Sequence, residues 1–279
     1  MREIFYLLLL ITIFSCTKEQ ENLNIMTYNI RYGNANDGEN HWSKRKEFLS
    51  NQINYYHPDI LGIQEGLEHQ VHFLDSVLVD YNYIGVGRDD GKTKGEYSAI
   101  FYNSEKFKVI ENNTFWLSET PSKISVGWDA AMERICTYGL FENLITKQQF
   151  YIFNTHFDHI GTQARIKSAE LIVEKINEFN TSNLPVMLMG DLNLTPEAKP
   201  IQLLSKVLND SKSVSKNKPF GPIGTFNGFN FNKPVTDRID YIFTSKNNIS
   251  VKKHAILSDS KDCKYPSDHL PVFIEALIK

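Results

Sequence analysis

Val186-Met187-Leu188-Met189-Gly190-Asp191-Leu192-Asn193 is an apolar run of strand length that ends in a carboxylate and an amide. A short apolar run bounded by polar residues reads as a buried strand. Upstream, Ile166, Ala169, Ile172, Val173 and Ile176 fall on one side of an amphipathic helix over Arg165 to Phe179. Before it, Phe150 to Thr155 reads as another strand, followed at once by His156 and Asp158. The same arrangement recurs outward in both directions. Asn24 to Arg31, Asp59 to Gln64, Tyr81 to Val86, Tyr97 to Tyr102, Phe107 to Trp116 and Ile135 to Phe141 read as strands. So do Arg238 to Phe243, Val251 to Leu257 and Leu270 to Leu277. Ser43 is placed to cap a helix carrying Phe48, Leu49, Ile53 and Tyr56, which Pro58 stops. Leu67, Val71, Leu74 and Leu78 have helical spacing, and a further helix is expected near Lys199 to Leu208. Strands outnumber helices and interleave with them only in part. That argues for an α+β fold with two sheets face to face and helices outside, and against a doubly wound βαβ sheet. Periodicity by itself leaves that choice open.

The chain of 279 residues suggests one large domain or two small ones, with no repeat or linker to divide it. Its formal net charge of −3 leaves nucleic acid possible as a partner but does not favour it, because phosphate backbones select basic faces. The first residues stand apart. After Arg2, Ile4 to Phe14 is almost wholly apolar, too short to span a bilayer and suited to the core of a signal peptide. Ser15-Cys16 and a polar run follow, which resembles a relaxed bacterial lipobox. The resemblance implies cleavage before Cys16 and a diacylglycerol on its sulfur; an ordinary secretory signal with a chance cysteine is the alternative. The expected organisation is a leader over 1–15, a lipid-anchored tether over 16–23 and one domain over 24–279. The protein is then exported and held on a bacterial membrane, as a monomer. Cys136 and Cys263 are read as free thiols.

Polar residues cluster where strands end: Asn29, Gln64-Glu65, His156 with Asp158, Asp191 with Asn193, Asp240, and Asp268-His269. Carboxylates and amides are costly to bury unpaired, so such a cluster points to a metal or to acid–base work. Oxygen donors of this kind suit Mg²⁺ or Mn²⁺. A hard cation beside a phosphate oxygen neutralises charge that develops in the transition state. No P-loop, dinucleotide fingerprint or nucleophile elbow is present.

Six segments then carry a resemblance. They are Thr27-Tyr28-Asn29-Ile30-Arg31, Ile63-Gln64-Glu65, Asn154-Thr155-His156-Phe157-Asp158-His159, Gly190-Asp191-Leu192-Asn193, Arg238-Ile239-Asp240-Tyr241-Ile242 and Ser267-Asp268-His269-Leu270-Pro271-Val272. In this order they resemble the motifs of the endonuclease/exonuclease/phosphatase (DNase I-like) superfamily, across residues 24 to 274. Gly95 to Tyr102 and His156 to His159 are similar to a secreted bacterial branch, itself near the Ccr4-like deadenylases. The resemblance implies a four-layered α/β/β/α sandwich and hydrolysis of phosphoesters with Mg²⁺ or Mn²⁺ by in-line attack of water. It implies Glu65 as the principal metal carboxylate, with Asn29 and Asp268 on the metal side. Asp191 would position or deprotonate water, Asn193 and His156 would meet phosphate oxygens, and His269 would serve as acid–base or phosphate-binding histidine. Asp268 is alternatively an orienting carboxylate for His269, and Asp240 a support for another site histidine such as His156. Arg31 stands where repair endonucleases carry a second metal carboxylate. With Asp158, His159 and Arg134 it is expected on the substrate side.

Each of these residues has a plainer reading as a cap, a loop polar or a surface ion pair. Trp42, Trp116 and Trp128 could line a groove or pack. The loop with Phe226, Phe229 and Phe231 could grip a substrate or a membrane, or simply fold on itself. The expected substrate is a small, glycan-linked or lipid phosphoester. A nuclease, a phospholipase or sphingomyelinase-like enzyme, and an inactive surface-binding module are the alternatives.

Overall fold

A computed structural model describes residues 22–279. The expected leader and Cys16 lie outside the described residues. The chain begins with β1 (Leu23–Asn29), α1 (Trp42–Tyr56), β2 (Ile60–Gln64), α2 (Glu68–Val77), β3 (Tyr81–Ile84) and β4 (Ile100–Asn103). It continues into β5 (Phe107–Trp116), β6 (Ile135–Asn143), β7 (Gln149–His156), α3 (Thr162–Phe179) and β8 (Val186–Asp191). Then come α4 (Lys199–Val207), β9 (Leu208–Asp210), α5 (Ser211–Val214), β10 (Asp240–Ser245), β11 (Ile249–Ile256) and β12 (Val272–Ile278). Two mixed six-stranded sheets result, in the orders β11-β12-β1-β2-β4-β3 and β5-β6-β7-β8-β10-β9. This is the expected four-layered α/β/β/α sandwich.

The layers explain why the strands read as continuous apolar runs. Successive strand residues point to opposite faces. In β1, Ile25 enters the core between the sheets with Met187, Met189, Ile152 and Ile274, whereas Met26 packs outward against Leu49 and Ile53 of α1. In β8, Met187 and Met189 face inward and Leu188 faces Ile172 of α3 and Leu204 of α4. Both faces are covered, so neither can be polar.

One polar pair crosses the inter-sheet core. Asn154 Nδ2 donates to the carbonyls of Ile63 and Ala99, both at 2.9 Å, and Gln64 Nε2 donates to Asn154 Oδ1 at 2.7 Å. These bonds hold one sheet in register on the other. Strand pairing within each sheet places Asn29 beside Gln64, His156 beside Asp191 and Asp191 beside Asp240.

Several elements differ from the sequence reading. The first helix begins at Trp42, capped by the His41 ring, whose Nδ1 accepts from the Ser43 N–H at 3.3 Å. Ser43 lies inside the first turn. The expected strand over Tyr97 to Tyr102 forms only from Ile100, because Tyr97 makes isolated bridges to Gly66 and Gly87 instead of joining a ladder. β9 and α5 had no periodicity to reveal them; each spans little more than one hydrophobic repeat.

Gly190 is the tightest point beside the strand-end cluster. Its φ is +145°, and a Cβ there would lie 1.9 Å from the Thr155 carbonyl oxygen on β7. Gly190→Ala is expected to destabilise the protein by roughly 3 kcal/mol or more through backbone displacement. A fall in the urea midpoint at unchanged m-value would show it. An unaltered midpoint would mean that the two strands separate freely.

Candidate active site

The strand ends kink as they reach the cleft, and the kinks aim the functional groups. Arg31, Glu65 and Asn193 adopt left-handed backbone at φ 62°, 63° and 51°. Each costs about 1–2 kcal/mol outside glycine, so the surroundings must hold them. At Arg31 the clamp is visible. Buried Arg45 donates to the carbonyls of Ile30, Arg31 and Pro266 at 2.7, 3.1 and 3.1 Å, and Gln70 Nε2 donates to the Arg31 carbonyl at 2.9 Å.

Asp191 occupies the centre. Its Oδ2 accepts from Asn29 Nδ2 at 3.0 Å and lies 3.4 Å from His156 Nε2 and 3.8 Å from His269 Nε2. Its Oδ1 accepts the Asn193 N–H at 2.9 Å. Burial, then the neighbouring Asp240 charge, push the Asp191 carboxyl up to about 7, against the pull of His269 and the bonds from Asn193 and Asn29. Asn29 Nδ2 also donates to Glu65 Oε1 at 3.0 Å, and the Tyr32 N–H donates to Glu65 Oε2 at 2.7 Å.

The two histidines stand in opposite charge states. Burial disfavours charge on His269, but Asp240 and Asp191 overcome it and hold its pKa well above the ordinary value. Its Nδ1 lies 2.9 Å from Asp240 Oδ2, so Nε2–H points toward Asp191. His156 is held neutral, first by burial and then by Arg134 and Arg88. Asn193 Nδ2 donates to its Nε2 at 3.0 Å, which places the ring proton on Nδ1.

The structure corrects three expectations. Asp240 supports His269 rather than His156, because β10 starts directly under the loop before β12. Asp268 does not orient His269. Its Oδ1 accepts from Ser267 at 3.3 Å and its Oδ2 faces Arg31 Nη1 at 3.5 Å, while burial and Glu65 raise its pKa. Asp158 is buried with its oxygens committed. It accepts from the N–H groups of Ala131, Ile160 and Gly161 at 3.2, 2.9 and 2.6 Å and pairs with Arg134 Nε at 3.3 Å. Its role is to hold that loop and Arg134.

The other expected residues gather around a cavity of about 450 Å³, lined among others by Arg31, Glu65, Arg134, His156, His159, Asp191, Asn193, Asp268 and His269. Arg31 is held by both oxygens of Asp37 at 3.0 Å, and Arg134 Nη2 lies 3.0 Å from His159 Nδ1. No tryptophan lines this cavity. Phe226 does, with its ring edge-on to His269 at 5.1 Å, whereas Phe229 packs under Arg45 and Phe231 against Tyr265. Sequence reasoning missed Glu96 as a site residue. It lines the cavity, takes a two-pronged bond from Arg88 at 2.8 Å on each oxygen, and sits 3.8 Å from His156 Nδ1. Gly95-Glu96-Tyr97 stood out only as a motif. Nothing in its spacing from His156 announces the contact.

Glu65, His156 and Asp191 bring donor atoms within 4.8 Å of one another, as do Asp191, Asp240 and His269. The second group already holds the His269 proton against its Asp240 carboxylate. The first fits a cation better, since each Glu65 oxygen accepts one hydrogen bond and keeps a lone pair. Such oxygens suit a hard divalent ion.

Comparison with known proteins agrees with the fold. The sequence matches the endonuclease/exonuclease/phosphatase family over residues 26–269. A family protein from Bacteroides thetaiotaomicron superposes with a TM-score of 0.90 at 39% identity, covering 94% of this chain and 99% of that one. The mannosyl-6-phosphatase of Bacteroides thetaiotaomicron VPI-5482 superposes with a TM-score of 0.88 at 40% identity, covering 92% of this chain and all of that one. The Ccr4 exoribonuclease subunit of the CCR4-Not complex of Mycosarcoma maydis is 23% identical over 93% of this chain, which spans about half of that protein's length (51%). The chain belongs to the endonuclease/exonuclease/phosphatase family, whose members hydrolyse phosphoesters.

Proposed function

We propose that the protein is a Mg²⁺- or Mn²⁺-dependent phosphatase acting on a small sugar phosphate or the phosphorylated end of a glycan. The observation that carries this reading is Asp191 set between a neutral and a cationic histidine, beside Glu65, in one cavity. A carboxyl raised to about 7 is half-ionised near neutral pH and suited to take a proton from water. The His269 Nε2–H then donates to a phosphoryl oxygen, with Asp240 fixing the His269 ring, while Asn193, whose amide hydrogens go to His156 Nε2 and the Phe157 carbonyl, holds His156 in place. Arg134, Arg31 and His159 border the space for the remaining oxygens and the leaving group. A bound divalent ion, held by Glu65 with Asn29 and Asp268 at its side, would neutralise phosphoryl charge.

Two observations favour a small substrate over nucleic acid. No lysine lines the cavity, and both arginines there are already engaged by neighbouring side chains. A phosphodiester backbone calls for more free positive charge than that. The likeness to a mannosyl-6-phosphatase points the same way. The protein is proposed to work as an exported monomer, tied to a bacterial membrane through lipid on Cys16.

The test is hydrolysis of mannose 6-phosphate, p-nitrophenyl phosphate and bis(p-nitrophenyl) phosphate by residues 17–279, with Mg²⁺, Mn²⁺ or EDTA. Metal-dependent release from the two monoesters is expected, with little from the diester. Release from the diester alone would overturn the monoesterase reading, and full rates in EDTA would overturn metal dependence.

The Asp240–His269 contact makes a separate prediction about pH. Asp240 raises the His269 pKa, so Asp240→Asn lowers it. The cationic form then persists to a lower pH only. The alkaline limb of kcat/KM is expected to move to lower pH, while the acid limb, set by Asp191, moves less. An unmoved alkaline limb would separate it from His269.

A further inference from the structure

The segment from Ser211 to Gly224 carries Lys212, Lys216 and Lys218 and no acidic residue, in a chain whose net charge is −3. Three apolar side chains of the same segment stand in solvent: Val214 is 40% exposed, Phe220 76% and Ile223 70%. Lys216 and Lys218 are exposed and form no ion pair among the described residues. Isolated exposed apolar residues are ordinary on a protein surface; an aromatic and two aliphatic groups alternating with lysines in one short segment are not.

The backbone here is held firmly. The N–H groups of Lys216, Asn217 and Phe220 donate to the carbonyls of Val251, Lys252 and His254 at 3.0 Å, and the Ile256 N–H returns a bond to Phe220 at 2.9 Å. Gly221, at φ +96°, approaches so closely that a Cβ would lie 1.9 Å from the Ile256 carbonyl. Pro219 and Pro222 fix the backbone on either side. Lys212 Nζ donates to the Ile223 carbonyl at 2.9 Å and ties the two ends of the segment together. The segment therefore covers β11, the outermost strand of the first sheet. Covering a sheet edge explains its backbone. It does not explain why Phe220 and Ile223 face outward, since polar side chains on that backbone would cover the edge equally well.

The point where the chain enters the fold identifies what meets this surface. Asn22 Oδ1 accepts from Lys252 Nζ at 2.7 Å, and Asn217 bonds the Lys252 carbonyl. The acid at this edge, Glu275, is matched by Lys253 at 2.8 Å and by Asn22 at 2.9 Å. Cys16 precedes Asn22 by six residues, a span of at most about 20 Å when fully extended. Lipid on Cys16 would thus keep the β11 edge close to the bilayer.

We infer that residues 211–224 form a second, non-covalent membrane contact, in which Lys216 and Lys218 meet anionic phospholipid headgroups while Phe220 and Ile223 enter the interface. The choice of a bilayer as occupant rests on the lipid-anchor reading of Cys16. Basic residues beside exposed apolar ones are the composition that binds anionic membrane surfaces. The contact has a consequence for the enzyme. The segment runs straight on to Phe226, whose ring packs on His269, so seating it would fix how the cleft opens relative to the membrane.

The experiment uses the chain from residue 17, which carries both sheets and all three cores and has no lipid of its own. Its sedimentation is measured with vesicles of phosphatidylethanolamine and phosphatidylglycerol, and with phosphatidylcholine vesicles. Binding to the anionic vesicles that weakens with salt is expected. K216Q/K218Q should weaken it roughly 25-fold, about fivefold per lysine. F220S/I223S should weaken it about tenfold or more. Hydrolysis of p-nitrophenyl phosphate in solution should be unchanged in both. Absence of binding to either vesicle, equal binding to both, or full binding by both double variants would overturn the inference. The anchor is read separately, by lipid labelling in cells of the intact chain and of Cys16→Ala, so failure of one reading is distinguishable from failure of the other.

Discussion

Asp191→Asn is expected to lower kcat by about 10³–10⁴-fold while changing KM little, because it removes the group suited to accept the proton of the attacking water. The substitution keeps the shape of the side chain. Oδ1 still accepts the Asn193 N–H, and the site keeps its volume. The charge, the basicity and the bond that Oδ2 accepts from Asn29 Nδ2 are lost. A second readout separates this from damage to the fold. The Asp191 pKa is raised above the ordinary carboxylate value, first by burial and then by Asp240. Its ionised form is therefore unfavourable in the folded state. That penalty is absent below the unfolded-state pKa near 4, where the group is protonated in both states. It grows as pH rises and is complete above about 7. In EDTA, Asp191→Asn should therefore be at least as stable as the parent at pH 8, with the difference vanishing toward pH 4. An inactive variant with raised stability at pH 8 fits the assigned role. Activity within tenfold of the parent would transfer that role to another residue.

Glu65→Gln is expected to reduce kcat/KM in saturating Mg²⁺ or Mn²⁺ by about 10³-fold or more, equivalent to about 4 kcal/mol of transition-state stabilisation. Glu65 is half-buried at the mouth of the cleft, with one hydrogen bond on each oxygen and a lone pair left on each. Gln presents one oxygen instead of two and no charge. Titration with Mn²⁺, followed by the loss of free-ion resonance, should show the parent binding at least ten times more tightly than the variant, a change in line with altered metal ligation. Matched Mn²⁺ affinity in the two proteins would remove Glu65 from the metal site, whatever the activity.

These two residues also show how much of the site could be read from the chain. Asp191 follows an apolar run, and Glu65 follows another. A charge that abruptly ends a strand buried on both faces is conspicuous, because the strand leaves it nowhere else to go. Asn29, His156, Asp240 and His269 were legible by the same logic, and their order in the sequence carried the family resemblance. The partners within that set were not. Asp240 lies 29 residues from His269, and only the start of β10 beneath the loop before β12 selects that histidine over His156. Asp158 shows the converse. In sequence it looks like a substrate ligand beside His159, but the fold brings the Ala131, Ile160 and Gly161 amides onto it. Glu96 directly precedes the expected strand at Tyr97, yet it became a site residue only when its loop crossed the end of β7.

The sequence by itself determined the positions of most strands and of the polar cluster apart from Glu96, and its family resemblance carried the sandwich. Continuous apolar burial and the cost of unpaired carboxylates act locally and leave their mark on neighbouring residues. Only the tertiary structure decided which carboxylate serves which histidine, that His269 is cationic while His156 is neutral, and that Phe220 faces solvent. Charge state and exposure depend on groups brought together from distant parts of the chain. Asn29 and Asp191, 162 residues apart, share a hydrogen bond because the two sheets pack in a single register, held by the bonds of Asn154 and Gln64 across the core.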